Sequence, residues 1–263
     1  SSALQMLINN TLQAQGFAVE PKAKVRAEPD MAEDYDPAFI RADADLAAIV
    51  PLLKDTPEAR ICLYGPPGTG KTAYGHWLAQ QLAMPLKVCR ASDLIAPYVG
   101  ETEQNIAKAF AEAAESGSML LIDEVDSFLR DRRSARASWE STMVNEMLTQ
   151  MESYRGIFIA STNLMDGLDQ AVLRRFDIKT KFDFLQAEQV WQLFELHCKR
   201  LKLKGTRRLQ ADVETMAWLT PGDFAAVARQ VRFNPVNTAA ELLQRLEVEM
   251  GHKEQAKQRR IGF

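Results

Sequence analysis

The sequence is poor in cysteine and contains no long apolar segment. Among its 263 residues there are three cysteines, Cys62, Cys89 and Cys198, which lie far apart in apolar surroundings. That spacing favours free thiols in a reducing compartment over a disulfide framework. No apolar run approaches the roughly 20 residues needed to cross a bilayer, and no charged-then-apolar leader is recognisable. We therefore expect a cytoplasmic protein that does not enter a membrane.

Histidine is equally scarce, and the excess of one charge is small. The three histidines, His76, His197 and His252, are widely separated, and the pattern His-Glu-x-x-His is absent. This excludes a zinc protease of that type. A net charge of −3 argues against binding nucleic acid over the whole surface, although it is compatible with a local basic patch. With 46% hydrophobic residues, the chain can bury a sizeable core.

Short apolar runs alternate with longer helical stretches through the middle of the chain. The runs are "RICLY" at 60–64, "LKVCR" at 86–90, "MLLID" at 119–123, "GIFIAST" at 156–162 and "IKTKFDF" at 178–184. Continuous apolar runs suit strands that are covered on both faces. The alternation predicts an α/β fold, a parallel doubly wound sheet. After about Gln186 only helical periodicity remains, so a small all-helical lid domain is expected to follow.

Three segments with different patterns are therefore predicted. Residues 1–35 read as an N-terminal helix and a charged linker, because an apolar helical stripe gives way to mixed charge and prolines. Residues 36–185 are expected to form the α/β domain, and residues 186–263 the helical lid domain.

The stretch "GPPGTGKT" at 65–72 has the phosphate-binding (P-loop, or Walker A) pattern between an apolar strand and a helix. Glycines let backbone N–H groups surround phosphate oxygens, and the helix N-terminus adds its positive dipole. Lys71 is predicted to reach the β- and γ-phosphates, and Thr72 to hold Mg²⁺. The cofactors expected are thus ATP and Mg²⁺. The predicted phosphate-site residues are Pro66, Pro67, Gly68, Thr69, Gly70, Lys71 and Thr72.

The stretch "LLIDEVD" at 120–126 supplies two adjacent carboxylates at the end of a buried strand. Asp123 lies where a carboxylate can meet the magnesium of a bound nucleotide, as in the Walker B motif. Glu124 points elsewhere and is the candidate base for the attacking water. Alone, such a pair could equally be a solvated strand end, but about fifty residues after a phosphate loop it indicates catalysis.

These motifs resemble those of the AAA+ ATPases, and in particular the branch that contains protein unfoldases, spastin and katanin. The resemblance covers roughly residues 36–250. It implies ATP hydrolysis by a homo-oligomer, a hexameric ring, that unfolds, translocates or remodels a protein substrate. Specificity in that family usually resides outside the ATPase core, so the sequence does not identify the substrate.

The resemblance also implies three polar residues of the active site. In "STN", Asn163 would sense the γ-phosphate, although a strand-to-helix cap is the simpler interpretation. In "LDQAVLRRFD" at 168–177, Arg174 and Arg175 correspond to arginine fingers that complete a neighbour's site. Without the family match, two surface arginines would be the preferred interpretation.

A further contact is implied where the lid closes over the nucleotide. In "TPGDF" at 220–224, Pro221 and Gly222 stand in the positions that approach adenine, and Gly222 is the predicted binding residue. The proline departs from the family pattern and removes one backbone donor. The segment 38–40 matches the other adenine-side contact only loosely.

The loop "PYVGETE" at 97–103 resembles the family's channel loop. Tyr98 would grip an extended polypeptide, with Val99 beside it and Gly100 allowing the bend. The alternative is a tyrosine packed on its own domain, the commoner fate of a loop aromatic. Ala96 and Pro97 replace small and basic residues, which predicts a stiffer loop.

The arginine-rich stretch 130–136 leaves the alternatives open. It could attract acidic peptide or nucleic acid, or be a solvated loop.

Three rival functions remain open: an ATPase that remodels nucleic acid, a dedicated activator of one partner enzyme, and a nucleotide-gated assembly scaffold. The intact Glu124 and both arginines argue against the scaffold.

Overall fold

The computed structural model describes residues 35–98, 100–129, 138–164 and 170–261. The expectations for Val99, for the arginine-rich stretch and for most of the N-terminal segment lie outside these residues. The strands are β1 Arg41–Ala42, β2 Ala59–Tyr64, β3 Leu86–Arg90, β4 Met119–Asp123, β5 Ile157–Thr162 and β6 Ile178–Asp183. Within the described part, no helix is both long and apolar enough to cross a membrane.

The helices follow the strands in alternation and then continue alone. They are α1 Ile49–Asp55, α2 Lys71–Leu82, α3 Ala91–Leu94, α4 Glu101–Glu115, α5 Asp126–Leu129, α6 Ser138–Ser153, α7 Gln170–Leu173, α8 Ala187–Arg200, α9 Gln210–Glu214, α10 Pro221–Val231 and α11 Ala239–Ile261. Single 3-10 turns occupy Pro37–Phe39 and Thr206–Leu209. The predicted α/β class and the helical part after β6 are confirmed.

The six strands form one sheet in the order β1-β6-β2-β5-β4-β3. The pairs from β6 to β3 are parallel, and β1 adds to the edge antiparallel to β6. Because the strands run parallel, their carboxyl ends meet at one edge of the sheet. That edge receives the phosphate loop after β2, Asp123 after β4 and Asn163 after β5.

The central strands β2, β4 and β5 are buried on both faces of the sheet, as the continuous apolar runs predicted. Along β5, Phe158 and Ala160 pack into a cluster with α4 and α6. Ile157 and Ile159 point the other way, into a cluster with α1 and α2. Successive residues of a strand face opposite sides, so one uninterrupted apolar run supplies two cores.

The helices after β6 have a core of their own. Apolar residues of α8, α9, α10 and α11 form a third cluster, which includes Phe194, Phe224 and Leu246. The backbone N–H of Leu185 donates to the carbonyl of Leu219, at 2.9 Å, where the sheet passes into this helical part. The lid is therefore joined to the carboxyl edge of the sheet.

Candidate nucleotide site

The phosphate loop connects β2 to α2 through backbone that only glycine adopts easily. Gly65 and Gly70 have φ values of 143° and 98°. A Cβ on Gly65 would lie 2.1 Å from the carbonyl oxygen of Phe182, so a side chain cannot be accommodated there without movement of β6. The loop therefore packs closely against β6, and α2 begins directly after the loop at Lys71.

Lys71 is buried at the start of α2 and makes three hydrogen bonds. Its Nζ donates to the carbonyls of Gly65 and Pro66, both at 2.8 Å, and to Oδ1 of Asn163 at 3.0 Å. Burial lowers the pKa of Lys71 to about 8, against the opposing effect of nearby carboxylates that include Asp123. The structure therefore brings the predicted lysine and the predicted sensor together at the loop.

Asp123 accepts hydrogen bonds from three groups at the end of β4. Thr72 Oγ1 donates to Oδ2 at 2.6 Å, while Ser161 Oγ and the backbone N–H of Glu124 donate to Oδ1, the latter at 3.0 Å. A hydroxyl and a carboxylate side by side are oxygen ligands that suit Mg²⁺, which takes few protein ligands and completes its shell with water and phosphate. Thr72 and Asp123 therefore fit the predicted ion.

Glu124 is exposed and has a left-handed backbone, with φ at 58°. For a residue with a Cβ this conformation costs about 1–2 kcal/mol. The backbone N–H of Val125 donates to the carbonyl of Ser161 at 2.9 Å, which fixes the chain immediately after it. Glu124 is thus an exposed residue at a fixed bend directly after Asp123.

Asp126 belongs to this site, although it was not among the predicted site residues. Its Oδ1 accepts hydrogen bonds from the Oγ1 of Thr162 and from the backbone N–H of Asn163, the latter at 3.0 Å. The signal was present in the sequence as the last letter of "DEVD". Only the tertiary structure shows that this carboxylate meets the end of β5.

Arg174 and Arg175 are not brought to the phosphate loop of their own chain. They precede Asp177, whose N–H donates at 2.9 Å to the carbonyl of Arg60, near the start of β2. The loop begins at the other end of that strand, five residues or roughly 16 Å away. The Arg175 side chain is paired with Glu152. Arg174 is exposed and has no side-chain partner within the described residues.

The lid contacts the phosphate loop directly through the N-terminus of α10. The N–H of Gly222 donates to the carbonyl of Gly68 at 2.9 Å, and a Cβ on Gly222 would lie 2.9 Å from the Cα of Gly68. Pro221 occupies the first turn of α10, where a missing N–H costs little. The buried Thr220 and Asp223 form a reciprocal capping box that holds this end of the helix.

The segment before β1 also touches both the lid and the loop. Gln189 on α8 donates through Nε2 to the carbonyls of Ala38 at 3.2 Å and Ile40 at 3.1 Å. The Ile40 side chain lies against Gly70, since its Cδ1 would be 2.8 Å from a Cβ there. The loosely matched stretch 38–40 is thus placed beside the phosphate loop.

Tyr98 lies at the surface with 71% of its side chain exposed, so it is not packed on its own domain. Around it, Thr102 Oγ1 accepts from the N–H of Ala96 at 2.9 Å, and Asn105 Nδ2 donates to the carbonyl of Leu94 at 3.1 Å. Gly100, with φ at 86°, is the N-cap residue of α4. The ends of the loop are therefore held, and its aromatic side chain is presented to solvent.

Comparison with known proteins supports the interpretation of this loop and strand arrangement. Residues 61–184 match the family model described as ATPase family associated with various cellular activities (AAA). This segment is therefore similar in sequence to AAA ATPase domains. The match spans β2 to the end of β6 and so includes the phosphate loop, Asp123, Glu124, Asn163 and both arginines.

Two curated archaeal proteins are similar to this chain. Protein SAV of Sulfolobus acidocaldarius is 30% identical over 181 residues, 66% of this chain and 23% of the relative. The cell division cycle protein 48 homolog of Archaeoglobus fulgidus is 32% identical over 173 residues, 63% of this chain and 23% of the relative. The chain thus matches only about a quarter of the length of these AAA proteins, and the narrower resemblance to spastin and katanin stays a prediction.

Proposed function

We propose that this chain is a Mg²⁺-dependent ATPase module that works in a ring and remodels a protein substrate. The observation that carries the proposal is the convergence of Lys71, Asn163 and the Thr72–Asp123 pair on one phosphate loop. The segments that follow β2 and β5, together with the end of β4, supply these groups, which are the kinds of group that phosphoryl transfer uses to bind phosphate and metal. The AAA match over residues 61–184 supports the same chemistry.

The phosphate loop would hold the nucleotide, and the lid would close over it. Backbone N–H groups of residues 68–72 would surround the phosphates, and the Lys71 ammonium would pair with the β- and γ-phosphates. Thr72 and Asp123 hold Mg²⁺, which when bound neutralises charge on the phosphates. Gly222 and the segment 38–40 would contact the base, and their contacts with the phosphate loop support this role.

Hydrolysis would use Glu124 and Asn163. Glu124 accepts a proton from water as the water oxygen bonds to the γ-phosphorus and the bond to the β,γ-bridging oxygen breaks, leaving ADP. The Asn163 side-chain amide orients the water and the γ-phosphate. The exposure of Glu124, at a left-handed residue directly after Asp123, supports this division between a metal-holding and a proton-accepting carboxylate.

Arg174 and Arg175 would act on the nucleotide of a neighbouring subunit. Their position at the opposite end of β2 from their own phosphate loop supports action in trans. A guanidinium on the developing phosphate charge is worth on the order of 10³–10⁵ in rate. A ring, a hexamer by resemblance, gives every site one such neighbour. Of the two, Arg174 is better placed, because Arg175 is paired with Glu152.

Tyr98, with Val99 and Gly100, would contact an extended polypeptide in the channel of the ring. The exposure of Tyr98 on a loop with fixed ends supports this role. A flat aromatic ring can pack against a passing chain without selecting one sequence. A protein substrate is therefore favoured over nucleic acid. The three free thiols agree with the expected reducing, cytoplasmic environment.

The test is ATPase activity per subunit over a range of protein concentration in Mg²⁺, with sizing of the same samples. Shared sites predict specific activity that rises with concentration as larger assemblies form. Full activity of a monomer would overturn the ring and the role of the arginines. Stimulation by an unfolded polypeptide supports the protein substrate, whereas stimulation only by DNA or RNA, lost steeply with salt, would favour the nucleic-acid alternative.

A further inference from the structure

Asp126 makes the contacts that fix the backbone around Asn163. Its Oδ1 accepts from the N–H of Asn163 at 3.0 Å and from Oγ1 of Thr162. The same Thr162 oxygen accepts from the N–H of Leu164 at 3.1 Å. One carboxylate oxygen therefore holds residue 163 directly and both of its neighbours through a buried hydroxyl.

The carboxylate itself is held in place by apolar packing. Val125 and Phe128, on either side of Asp126, are fully buried in the core formed with α4 and α6. The N–H of Val125 also donates to the carbonyl of Ser161, at 2.9 Å. The start of α5 is thereby attached to β5 immediately before the Asn163 turn, so the position of the carboxylate is defined by the core.

The result of these contacts is seen at the Asn163 side chain. Its Oδ1 accepts from Lys71 Nζ at 3.0 Å, at the mouth of the phosphate loop. A displacement of the backbone at residue 163 would be transmitted to this amide, because only two side-chain torsions separate them. In active sites, groups that orient a functional side chain typically contribute 10–100-fold to activity.

We propose that Asp126 is a positioning residue, whose carboxylate oxygen fixes the Asn163 backbone and so aims the Asn163 amide at the γ-phosphate. The inference rests on the proposed role of Asn163 in hydrolysis. It assigns to Asp126 neither metal binding nor proton transfer. What matters is the place of one acceptor oxygen, and its charge is secondary.

Two substitutions of Asp126 that change its size little distinguish the effect of the position of the carboxylate oxygen from the effect of its charge. Asp126→Asn keeps an acceptor oxygen in place and removes the charge, whereas Asp126→Glu keeps the charge and moves the oxygen by one methylene. We expect kcat to fall less than about threefold in D126N and about tenfold or more in D126E. ATP affinity, measured for each in a Glu124→Gln background that slows turnover, should change less than about threefold, since Asp126 is given no part in binding.

A double-mutant cycle with Asn163→Ala shows whether Asp126 acts through Asn163. If it does, D126E should cost little more in the N163A background, since no amide is left to position. A D126N loss equal to or larger than that of D126E would overturn the proposal in favour of charge. Additive losses in the cycle, or weakened ATP binding in both variants, would overturn it in favour of a general structural role.

The failure of this inference can be told from failure of the proposed function. An N163A variant with impaired kcat beside an unimpaired D126E variant would refute the positioning role alone. An N163A variant with undiminished kcat would refute the role of Asn163 in hydrolysis and the inference with it.

Discussion

Glu124 combines a strained backbone with an exposed side chain, and this makes its chemistry separable from its structural effect. Glutamine has the same shape and shares the cost of the left-handed conformation, so Glu124→Gln should not alter stability. Without a base, we expect kcat to fall by about 10²–10⁴ while ATP binding persists. Single-turnover hydrolysis measures the loss of rate, and equilibrium binding of labelled ATP measures the affinity. Turnover within about tenfold of the unchanged chain would show that another group accepts the proton.

Gly65 allows the contact between the phosphate loop and β6 to be tested by stability. Gly65→Ala would place a Cβ 2.1 Å from the Phe182 carbonyl oxygen, and we expect it to lower the free energy of unfolding by about 3 kcal/mol or more. The matched control is Gly117→Ala, also at positive φ but with nothing within 4 Å of the new Cβ, which should cost only about 1 kcal/mol. If urea denaturation gave equal losses in the free energy of unfolding for the two variants, β6 would have moved to accommodate the new methyl group.

The sequence predicted the candidate site best at single residues. The phosphate-loop pattern and the paired carboxylates predicted the neighbourhood of Lys71, Thr72 and Asp123, because such chemistry restricts both residue type and spacing. Asp126 was missed because its partner lies some 36 positions further along the chain. A contact over that distance leaves no local periodicity.

At the scale of elements, α10 links the lid to the phosphate loop by its N-terminus. Asp223→Ala removes its capping box and should cost about 0.5–2 kcal/mol in stability. Since Gly222 binds the Gly68 carbonyl one residue before Asp223, we also expect weaker ATP binding. Titration of each variant with labelled ATP gives the affinities.

Thr238→Ala is the matched control for this element. It removes the hydroxyl that accepts from the N–H of Glu241 at the start of α11, another lid helix, and should lower stability comparably without weakening ATP binding. Equal affinities of the two variants would show that the lid contact contributes nothing to binding.

Long elements were predictable, and short ones were not. Met143, Met147 and Met151 lie four residues apart, a spacing typical of one face of a helix, and all three are buried on α6. Strand β1 has two residues, and α3, α5 and α7 have four each, which is too little for a repeating pattern. They are formed by contacts with the larger elements, as β1 is by pairing with β6.

At the scale of the whole molecule, the separation of the arginines from their own phosphate loop predicts complementation between subunits. Arg174→Ala and Glu124→Gln should each be nearly inactive alone. In a mixture, some interfaces combine an intact Glu124 with an intact Arg174 from the neighbour, so activity should exceed the sum of the two variants. Steady-state ATPase assays over the range of mixing ratios check this. Strictly additive activity at every ratio would contradict action in trans.

The three hydrogen bonds of Lys71 have a thermodynamic consequence. An ammonium group has three N–H donors, and here all three are already engaged by Gly65, Pro66 and Asn163. Nucleotide association is therefore an exchange reaction at this nitrogen: each bond to phosphate replaces one to the protein. The measured affinity therefore reflects the difference in free energy between the bonds of Lys71 to phosphate and the bonds to the protein that they replace. The enthalpy of association should accordingly be smaller than the number of new phosphate contacts suggests.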